Sequence, residues 1–305
     1  MYLWIRGLDM SEINIDGKVN VSDNQKLRLI RSFARHKLGV FGVVLLLAFV
    51  LTAAFAPVLI KNDPYTMRLE DPFLPPGSPG HILGTDNFGR DMLSRLVYGA
   101  RVSLLIGIVV VSVAAVLGTV LGLMAGYYGG WVDFTIMRMV EVFYSFPFLI
   151  LVIAVMAILG PSIFNVMWVL GVVSWPSYAR VVRAQVLSLK SSEFVSAARA
   201  TGCSDSRIIF KHILPNTLTP IIVQATLGIP GAILSSASLG FLGFGVQPPT
   251  PEWGSMVSEG KDFIMLNSNL IIWPGLCIFL VVLSFNFIGD ALRDTMDPRL
   301  SRELR

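Results

Sequence analysis

The chain has 305 residues, of which 54% are hydrophobic and only 14% charged, with a net charge of +4. Soluble domains carry about 25% charged residues, so this composition predicts a polytopic membrane protein and excludes an ordinary soluble domain. Two cysteines, one in a polar stretch and one in an apolar stretch, exclude a disulfide framework. The three histidines show no metal-ligand spacing, and we expect no metal, no cofactor and no nucleic-acid partner.

The first third of the chain alternates between polar and apolar stretches. Residues 1–38 are polar and end in a basic run, which predicts a cytoplasmic N-terminal segment. Residues 39–60 are uncharged and match the roughly 20 residues that a membrane-spanning helix needs. The polar stretch before them is too long for a signal peptide, so we interpret them as an uncleaved first span. Residues 61–101 are polar and rich in Pro and Gly, which predicts an extracytoplasmic segment.

We predict a five-helix core over residues 102–292. Its first helix lies in the apolar run 102–130, where three glycines recur at four-residue spacing. A helix surface of small residues lets two membrane helices approach closely, so we expect this face to pack against a neighbouring span. The three glycines are Gly118, Gly122 and Gly126.

Further apolar stretches complete a total of six predicted spans. Residues 142–179 are uncharged but too long for one span, and the Gly-Pro-Ser sequence at 160–162 divides them into the third and fourth spans. Residues 270–289 form the sixth span. Residues 293–305 are predicted to be a cytoplasmic tail. The sequence therefore predicts an all-α membrane protein.

The predicted fifth span lies within residues 217–251 and contains a weak point. Pro230 removes one backbone hydrogen bond, and Gly228 and Gly231 flank it. A kink or a broken helix is expected there. The chain then turns out of the membrane into a second polar loop.

A polar stretch between the fourth and fifth spans, the 190–216 loop, reads as two short helices with a break. Ser192 or its neighbour Ser191 can cap the first helix, because a side-chain oxygen there accepts a free backbone amide. Gly202 is a natural stop, since glycine takes a positive φ at little cost. Ser204 can cap the second helix.

Each helix of the 190–216 loop has a set of side chains at helical spacing on one face. The second helix is predicted to end at Pro215, which cannot continue the backbone hydrogen bonds. The predicted faces are Phe194, Ala197, Ala198 and Thr201 in the first helix, and Ile208, Ile209 and Ile213 in the second.

The distribution of Lys and Arg predicts the orientation of the chain in the membrane. Six spans place both termini on one side. With the termini inside, the inner segments contain 18 of the 24 basic residues and the outer segments contain 6. We therefore predict a multi-pass protein of the cytoplasmic membrane, with both termini and the 190–216 loop in the cytoplasm.

The predicted spans contain no carboxylate at mid-membrane, and Arg138 and Glu141 lie at an inner boundary where they can pair. A secondary transporter usually needs ionisable groups within its spans, and an intramembrane protease needs a catalytic pair, so both classes are disfavoured. The glycines and aspartates of residues 84–91 lack the Gly-Lys-Ser/Thr of a nucleotide-binding loop. Turn and cap roles are preferred for them over a calcium site.

The 190–216 loop resembles the EAA loop of the membrane subunits of bacterial ABC importers. The resemblance rests on three small residues, a glycine four positions later, and a Leu-Pro pair twelve positions beyond that glycine. Two positions depart from the family pattern: a serine replaces the glutamate, and His212 replaces an isoleucine. The matching positions are Ser196, Ala197, Ala198, Gly202, Leu214 and Pro215.

Other stretches resemble the C-type permease subunit of dipeptide, oligopeptide and nickel importers. They are residues 35–39, 84–101, 238–245, 253–254 and 289–298, so the resemblance covers the chain from about residue 30 to residue 300. It implies a non-catalytic, six-span permease that carries di- or oligopeptides, with nickel or another small solute as the alternative substrate.

The same resemblance implies partners and a role for the 190–216 loop. The permease would pair with a second, similar permease, two cytoplasmic ATPase subunits and an extracytoplasmic binding protein. The six EAA-like positions would contact an ATPase subunit through a coupling helix. On residue pattern alone, the loop is equally compatible with an amphipathic connector lying on membrane lipid, and a stand-alone secondary transporter remains the alternative from another class.

Overall fold

A computed structural model describes residues 31–296 of the chain. Within that range the structure is helical, with two isolated β-bridges and no strand. Residues 1–30 and 297–305, which include most of the predicted N-terminal segment and tail, lie outside the described residues. The all-α prediction is confirmed.

The helices are numbered α1 to α10 in chain order. A short 3₁₀ turn, Lys261–Phe263, follows α9, and α8 contains a π-helical segment, Ile208–Ile213. The helices are α1 (Lys37–Ala54), α2 (Ala56–Leu59), α3 (Met92–Tyr128), α4 (Gly130–Tyr144), α5 (Phe148–Leu159), α6 (Ile163–Lys190), α7 (Glu193–Ala200), α8 (Asp205–Phe241), α9 (Trp253–Gly260) and α10 (Asn269–Met296).

Four helices, α1, α3, α8 and α10, are long and apolar enough to cross a membrane. The pair α4 and α5, bent by 89° at the connection before Pro147, makes a fifth crossing if it is counted as one span. α6 has 28 residues but three basic residues in its second half, so it has the length of a sixth span with a lower hydropathy. The polytopic architecture is as predicted, although four or five of the six predicted spans have the length and hydropathy of a crossing, and the third begins at Gly130 as two helices rather than at residue 142.

α3 begins at Met92, ten residues before the predicted apolar run. Asp91 caps it by accepting a hydrogen bond from the Ser94 amide at 2.8 Å. The early turns contain Arg95 and Arg101, which hydropathy assigned to the polar segment. They are helical because the cap and the tertiary contacts of Arg95 stabilise them. We call the two extremities of α3 the Met92 end and the Tyr128 end.

α3 and α6 pack along each other through the glycine-spaced face. A Cβ atom at Gly118 would lie 2.7 Å from the backbone oxygen of Trp175, and one at Gly122 would lie 2.7 Å from that of Ala179. Side chains do not approach backbone atoms so closely, so only glycine permits this contact. The predicted close approach at Gly118, Gly122 and Gly126 is confirmed.

α8 runs unbroken through Gly228, Pro230 and Gly231, so of the two predicted alternatives, a kink or a broken helix, the broken helix is wrong. Pro230 is buried. Proline is tolerated within membrane helices where surrounding helices and small local adjustments compensate for its missing amide.

A buried ion cluster, formed by Asp86, Arg90, Arg95 and Glu259, covers the Met92 end. Asp86 accepts hydrogen bonds from the two guanidinium groups at 2.6 and 2.5 Å, and Glu259 of α9 accepts from both at 2.6 and 2.8 Å. The two arginine side chains are only 1% and 2% exposed. The cluster therefore fixes the segment before α3 to a helix more than 160 residues away in sequence.

Glu252 is a second buried carboxyl near this end and caps α9. It accepts hydrogen bonds from the Ser255 amide at 2.8 Å and from the Ser103 hydroxyl at 3.2 Å. The next residue, Trp253, donates its indole N–H to the Leu96 carbonyl at 3.0 Å. Burial raises the pKa of the Glu252 carboxyl, and its hydrogen bonds only partly oppose that rise.

Candidate functional site

The 190–216 loop contains the helix break that the sequence predicts. α7 ends at Ala200, and Gly202 follows with a φ of +78°. The Gly202 amide donates to the Arg199 carbonyl at 2.9 Å, and the Cys203 amide donates to the Ala198 carbonyl at 3.1 Å. This pair of bonds is a Schellman motif, which requires a left-handed residue at the glycine position.

The two serines lie at the predicted N-cap positions, but the predicted side-chain hydrogen bonds to the helix amides do not form. Ser192 and Ser204 occupy the N-cap positions with extended backbone, but neither side chain bonds to a free amide of the first turn. The Ser192 hydroxyl donates instead to the Leu189 carbonyl at 2.5 Å, which joins α7 to the end of α6.

The second helix of the loop does not end at Pro215, contrary to the prediction. It begins at Asp205 and continues as α8, with 37 residues in one helix. Within the π-helical segment the hydrogen bonds reach five residues back, and the Leu214 amide donates to the Ile209 carbonyl. Pro215 then lies in the first turn of the following α-helical part, where its missing N–H costs little. The second helix of the loop and the fifth span are therefore one continuous helix.

A small apolar cluster holds the loop against the Tyr128 end. Val195 is completely buried and Ala198 is 8% exposed. The predicted isoleucine face of the second helix is confirmed as buried. The cluster contains Val195, Ala198, Ile208, Ile209 and Ile213 from the loop, and Leu123, Val182, Val186 and Ile221 from α3, α6 and α8.

The predicted face of α7 divides between the interior and the surface. Phe194, Ala197 and Thr201 point outward, whereas Ala198 faces the cluster. The buried partner of Ala198 is Val195, three residues earlier, which the prediction did not include. Helical spacing alone did not distinguish these two neighbouring faces.

Of the six EAA-like positions, four are exposed, one is half-buried and one is buried. Ser196, Ala197, Gly202 and Pro215 are exposed, Leu214 is half-buried, and Ala198 is buried. Two further aromatic side chains of the loop, which the EAA pattern does not include, are also exposed: Phe194 is 44% exposed and Phe210 is 66% exposed. The sequence could have indicated the exposure of Phe210, because its position falls outside the helix face formed by the isoleucines.

Tyr127 joins the loop to the Tyr128 end through its hydroxyl and its ring. Its hydroxyl donates to Asp205 Oδ1 at 2.5 Å, and its carbonyl accepts from Lys190 Nζ at 2.5 Å. The charged ends of Lys190 and Arg199 each lie 5.6 Å from the centre of its ring, within the range of cation–π attraction. Local sequence gives no sign of this role for Tyr127, because Lys190 and Asp205 lie 63 and 78 residues away in the chain.

The remaining predicted pair, Arg138 and Glu141, forms a salt bridge at 2.5 Å with both side chains 61% exposed. An exposed pair contributes little stability. Within residues 31–296, no group of three His, Cys, Asp or Glu side chains is arranged to hold a metal ion. The outward side of the loop carries small and aromatic side chains.

A cavity of about 350 Å³ lies between α3, α5, α6 and α8, away from the loop. No charged side chain is among its lining residues. Its polar groups come from two helices that face each other. They are Ser174, Ser177 and Tyr178 of α6, and Gln224 and Ser235 of α8.

Residues 118–302 match the family model of the binding-protein-dependent transport system inner membrane component. Residues 27–76 match the N-terminal transmembrane domain of oligopeptide transport permease C. The first match spans more than half of the chain and includes the 190–216 loop.

Curated relatives are similar over most of their length. The dipeptide transport system permease protein DppC of Alkalihalophilus pseudofirmus is 47% identical over 270 residues, covering 88% of each chain. The protein of the same name from Haemophilus influenzae is 42% identical, covering 88% of this chain and 93% of the relative. The glutathione transport system permease protein GsiD of Pectobacterium atrosepticum is also 42% identical, covering 88% of this chain and 90% of the relative.

Solved structures share the fold at lower identity. A chain of the MetNI methionine ABC transporter in an inward-facing conformation aligns with a TM-score of 0.54 at 23% identity, covering 68% of this chain and 98% of that one. An amino acid ABC transporter aligns with a TM-score of 0.51 at 16% identity, covering 65% and 92%.

Proposed function

The chain belongs to the family of binding-protein-dependent transport system inner membrane components, and on that premise we propose that it forms half of the translocation path of an ATP-driven peptide importer. A second permease supplies the other half, two ATPase subunits drive the pair, and an extracytoplasmic binding protein delivers the substrate. The chain itself is the non-catalytic subunit, since its described residues offer a contact surface at the 190–216 loop rather than a catalytic group.

One observation carries the mechanism: the second helix of the 190–216 loop, which exposes Phe210, is continuous with a membrane-spanning helix. Ala197, Gly202 and the exposed Phe194 and Phe210 present small and apolar groups to a partner. A partner that displaces Asp205 must displace all of α8, because no break separates them. ATPase motion is thereby transmitted to the translocation path.

The relatives support short peptides as the substrate. Those described above are named for dipeptide and glutathione transport. The alternative of nickel is not favoured. A peptide requires a polar path, because each unpaired backbone group costs several kcal/mol in lipid, and one chain of this size does not enclose such a path by itself.

We propose that the 190–216 loop and both termini are cytoplasmic. The support is the excess of Lys and Arg in the segments on that side. Of the six basic residues assigned to the outer segments, Arg90 and Arg95 are neutralised in the ion cluster. On the inner side, Arg138 and Arg183 are likewise paired with carboxylates, so ion pairing leaves the direction of the asymmetry unchanged.

Cysteine crosslinking within the assembled complex tests the contact. Ala197→Cys is expected to crosslink to an ATPase subunit, because Ala197 is exposed. Ala198→Cys is the matched control, since the neighbouring side chain faces the apolar cluster and is expected to crosslink poorly. Crosslinks of Ala197→Cys only to lipid or to the second permease would contradict the proposed contact and favour a membrane-surface connector.

A further inference from the structure

Two stripes of small and polar residues face each other across the cavity between α6 and α8. Side chains spaced by three and four residues lie on one side of a helix. An added Cβ atom at Gly231 would meet no atom within 4 Å, so the cavity is open beside this glycine. The stripe on α8 is Gln224, Gly228, Gly231 and Ser235, and the stripe on α6 is Ser174 and Ser177.

The stripes offer hydrogen-bonding groups that the protein leaves available. The Ser174 and Ser177 hydroxyls donate to carbonyls of their own helix at 2.7 and 3.0 Å, and their oxygens can still accept. Among residues 31–296, the side chains of Gln224 and Ser235 have no hydrogen-bond partner. The cavity therefore presents both donors and acceptors, with no charge among its lining residues.

We propose that this cavity binds the main chain of a peptide in transit, an inference that rests on the peptide substrate proposed above. Each peptide unit carries one donor and one acceptor that must be satisfied away from water. Neutral amide and hydroxyl groups satisfy them equally for every peptide sequence. The remaining walls are apolar, and a volume of about 350 Å³ lies within the roughly 300–1,000 Å³ of small-molecule sites.

The absence of charged lining residues means that the cavity does not select peptides by their charge. It offers no oppositely charged partner for the ammonium or carboxylate of a peptide terminus, nor for charged side chains. The cavity is thus a site for short peptides of any charge that interact through the main chain. Selection among peptides then lies with other parts of the importer.

Filling the cavity tests the proposal in the complete complex, reconstituted in lipid vesicles with its second permease, ATPases and binding protein. Gly231→Leu places a side chain in the open space and is expected to lower dipeptide uptake at least about tenfold. Gly275→Leu is the matched control, because Gly275 lies in α10, also has open space at its Cβ position, and does not line the cavity. Equal uptake by the two variants would overturn the proposal.

Introducing a charge tests the same site without changing its volume. Gln224→Glu is expected to raise the ratio of cationic to anionic dipeptide uptake by roughly tenfold, since an opposite charge nearby favours the cationic substrate. An unchanged ratio would overturn the proposal and leave the cavity as a contact for lipid or for the second permease. Wild-type vesicles that take up no peptide at all would instead contradict the proposed function.

Discussion

The two ends of α3 use charge in opposite ways. At the Met92 end, Asp86, Arg90, Arg95 and Glu259 pair with one another, with side chains between 1% and 17% exposed. At the Tyr128 end, the 190–216 loop buries aliphatic side chains and leaves most of its charged groups and two phenyl rings on the surface. The charged groups at the Met92 end are paired within the chain, whereas those at the Tyr128 end are mostly exposed.

The physical basis of this difference is that burying a charge away from water costs free energy, whereas burying an apolar group releases it. Buried ions are stable only while every partner is present, because an unpaired ion in the interior is strongly destabilising. Covering exposed apolar rings with another protein removes apolar surface from water and so stabilises the complex. The Met92 end therefore resists change, whereas the contact proposed for the Tyr128 end would stabilise the complex by covering exposed rings. The following variants measure each half of that contrast.

The largest effect is expected at the ion cluster. Arg95→Ala leaves two carboxylates facing one guanidinium, and the free energy of unfolding should fall by about 3–5 kcal/mol. Thermal unfolding of the purified protein in detergent measures this loss. Arg101→Ala, in the same helix but exposed, is the control and should change little. Similar unfolding temperatures for both variants would show that the cluster does not stabilise this end.

At the other end of α3, Gly202→Val should be the most damaging single change in the loop. A β-branched residue at a φ of +78° is strained by roughly 1–3 kcal/mol, so the break between α7 and α8 is expected to deform. Peptide uptake should be lost while membrane insertion stays normal. Gly202→Asn is the control, because asparagine tolerates a positive φ; normal uptake with valine would contradict a role for the bend.

Tyr127→Phe removes one hydrogen bond and keeps the ring. Losing the bond to Asp205, which water can replace at this exposed carboxylate, should cost about 1 kcal/mol. Hydrogen exchange of residues 193–213 should become faster. Tyr128→Phe is the matched control, because Tyr128 is 53% exposed. The same exchange rates in both variants would mean that Tyr127 does not hold the loop.

The smallest effect is a pH dependence at Glu252. Its pKa in the folded protein is raised above the ordinary value of 4.5. Between those two pKa values the folded state keeps a proton that the unfolded state has released, so stability falls as pH rises through that window. Glu252→Gln should remove this fall and gain stability relative to wild type with increasing pH. Glu193→Gln, exposed on α7, should follow the wild-type profile; parallel profiles for all three would contradict burial as the cause.

Local features of the structure were predictable from sequence. The glycine spacing in α3 predicted a close helix contact, because the absence of a Cβ atom acts over one helix face. Gly202 predicted a break for the same local reason. The spacing of Ile208 and Ile213 predicted a buried face. Each of these depends on residues within about two helical turns, which periodicity reveals.

Features that depend on distant residues were not predictable. Hydropathy placed Arg95 outside the helix, because its partner Glu259 lies 164 residues away. Proline chemistry predicted a helix end at Pro215, but the preceding π-helical segment brings it into the first turn of a regular helix. The pairing of Tyr127 with Asp205 likewise has no trace in either local sequence.

The length of α8 sets a scale for the movement that opens a path. A helix of 37 residues is about 55 Å long at 1.5 Å per residue. If it tilts as a rigid rod by only about 5° at its Asp205 end, its far end moves by about 5 Å. That distance is close to the 4.7–4.9 Å that separates neighbouring extended chains in a sheet. In the proposed mechanism, a change of a few degrees at the loop would therefore suffice to admit or exclude the thickness of one extended peptide.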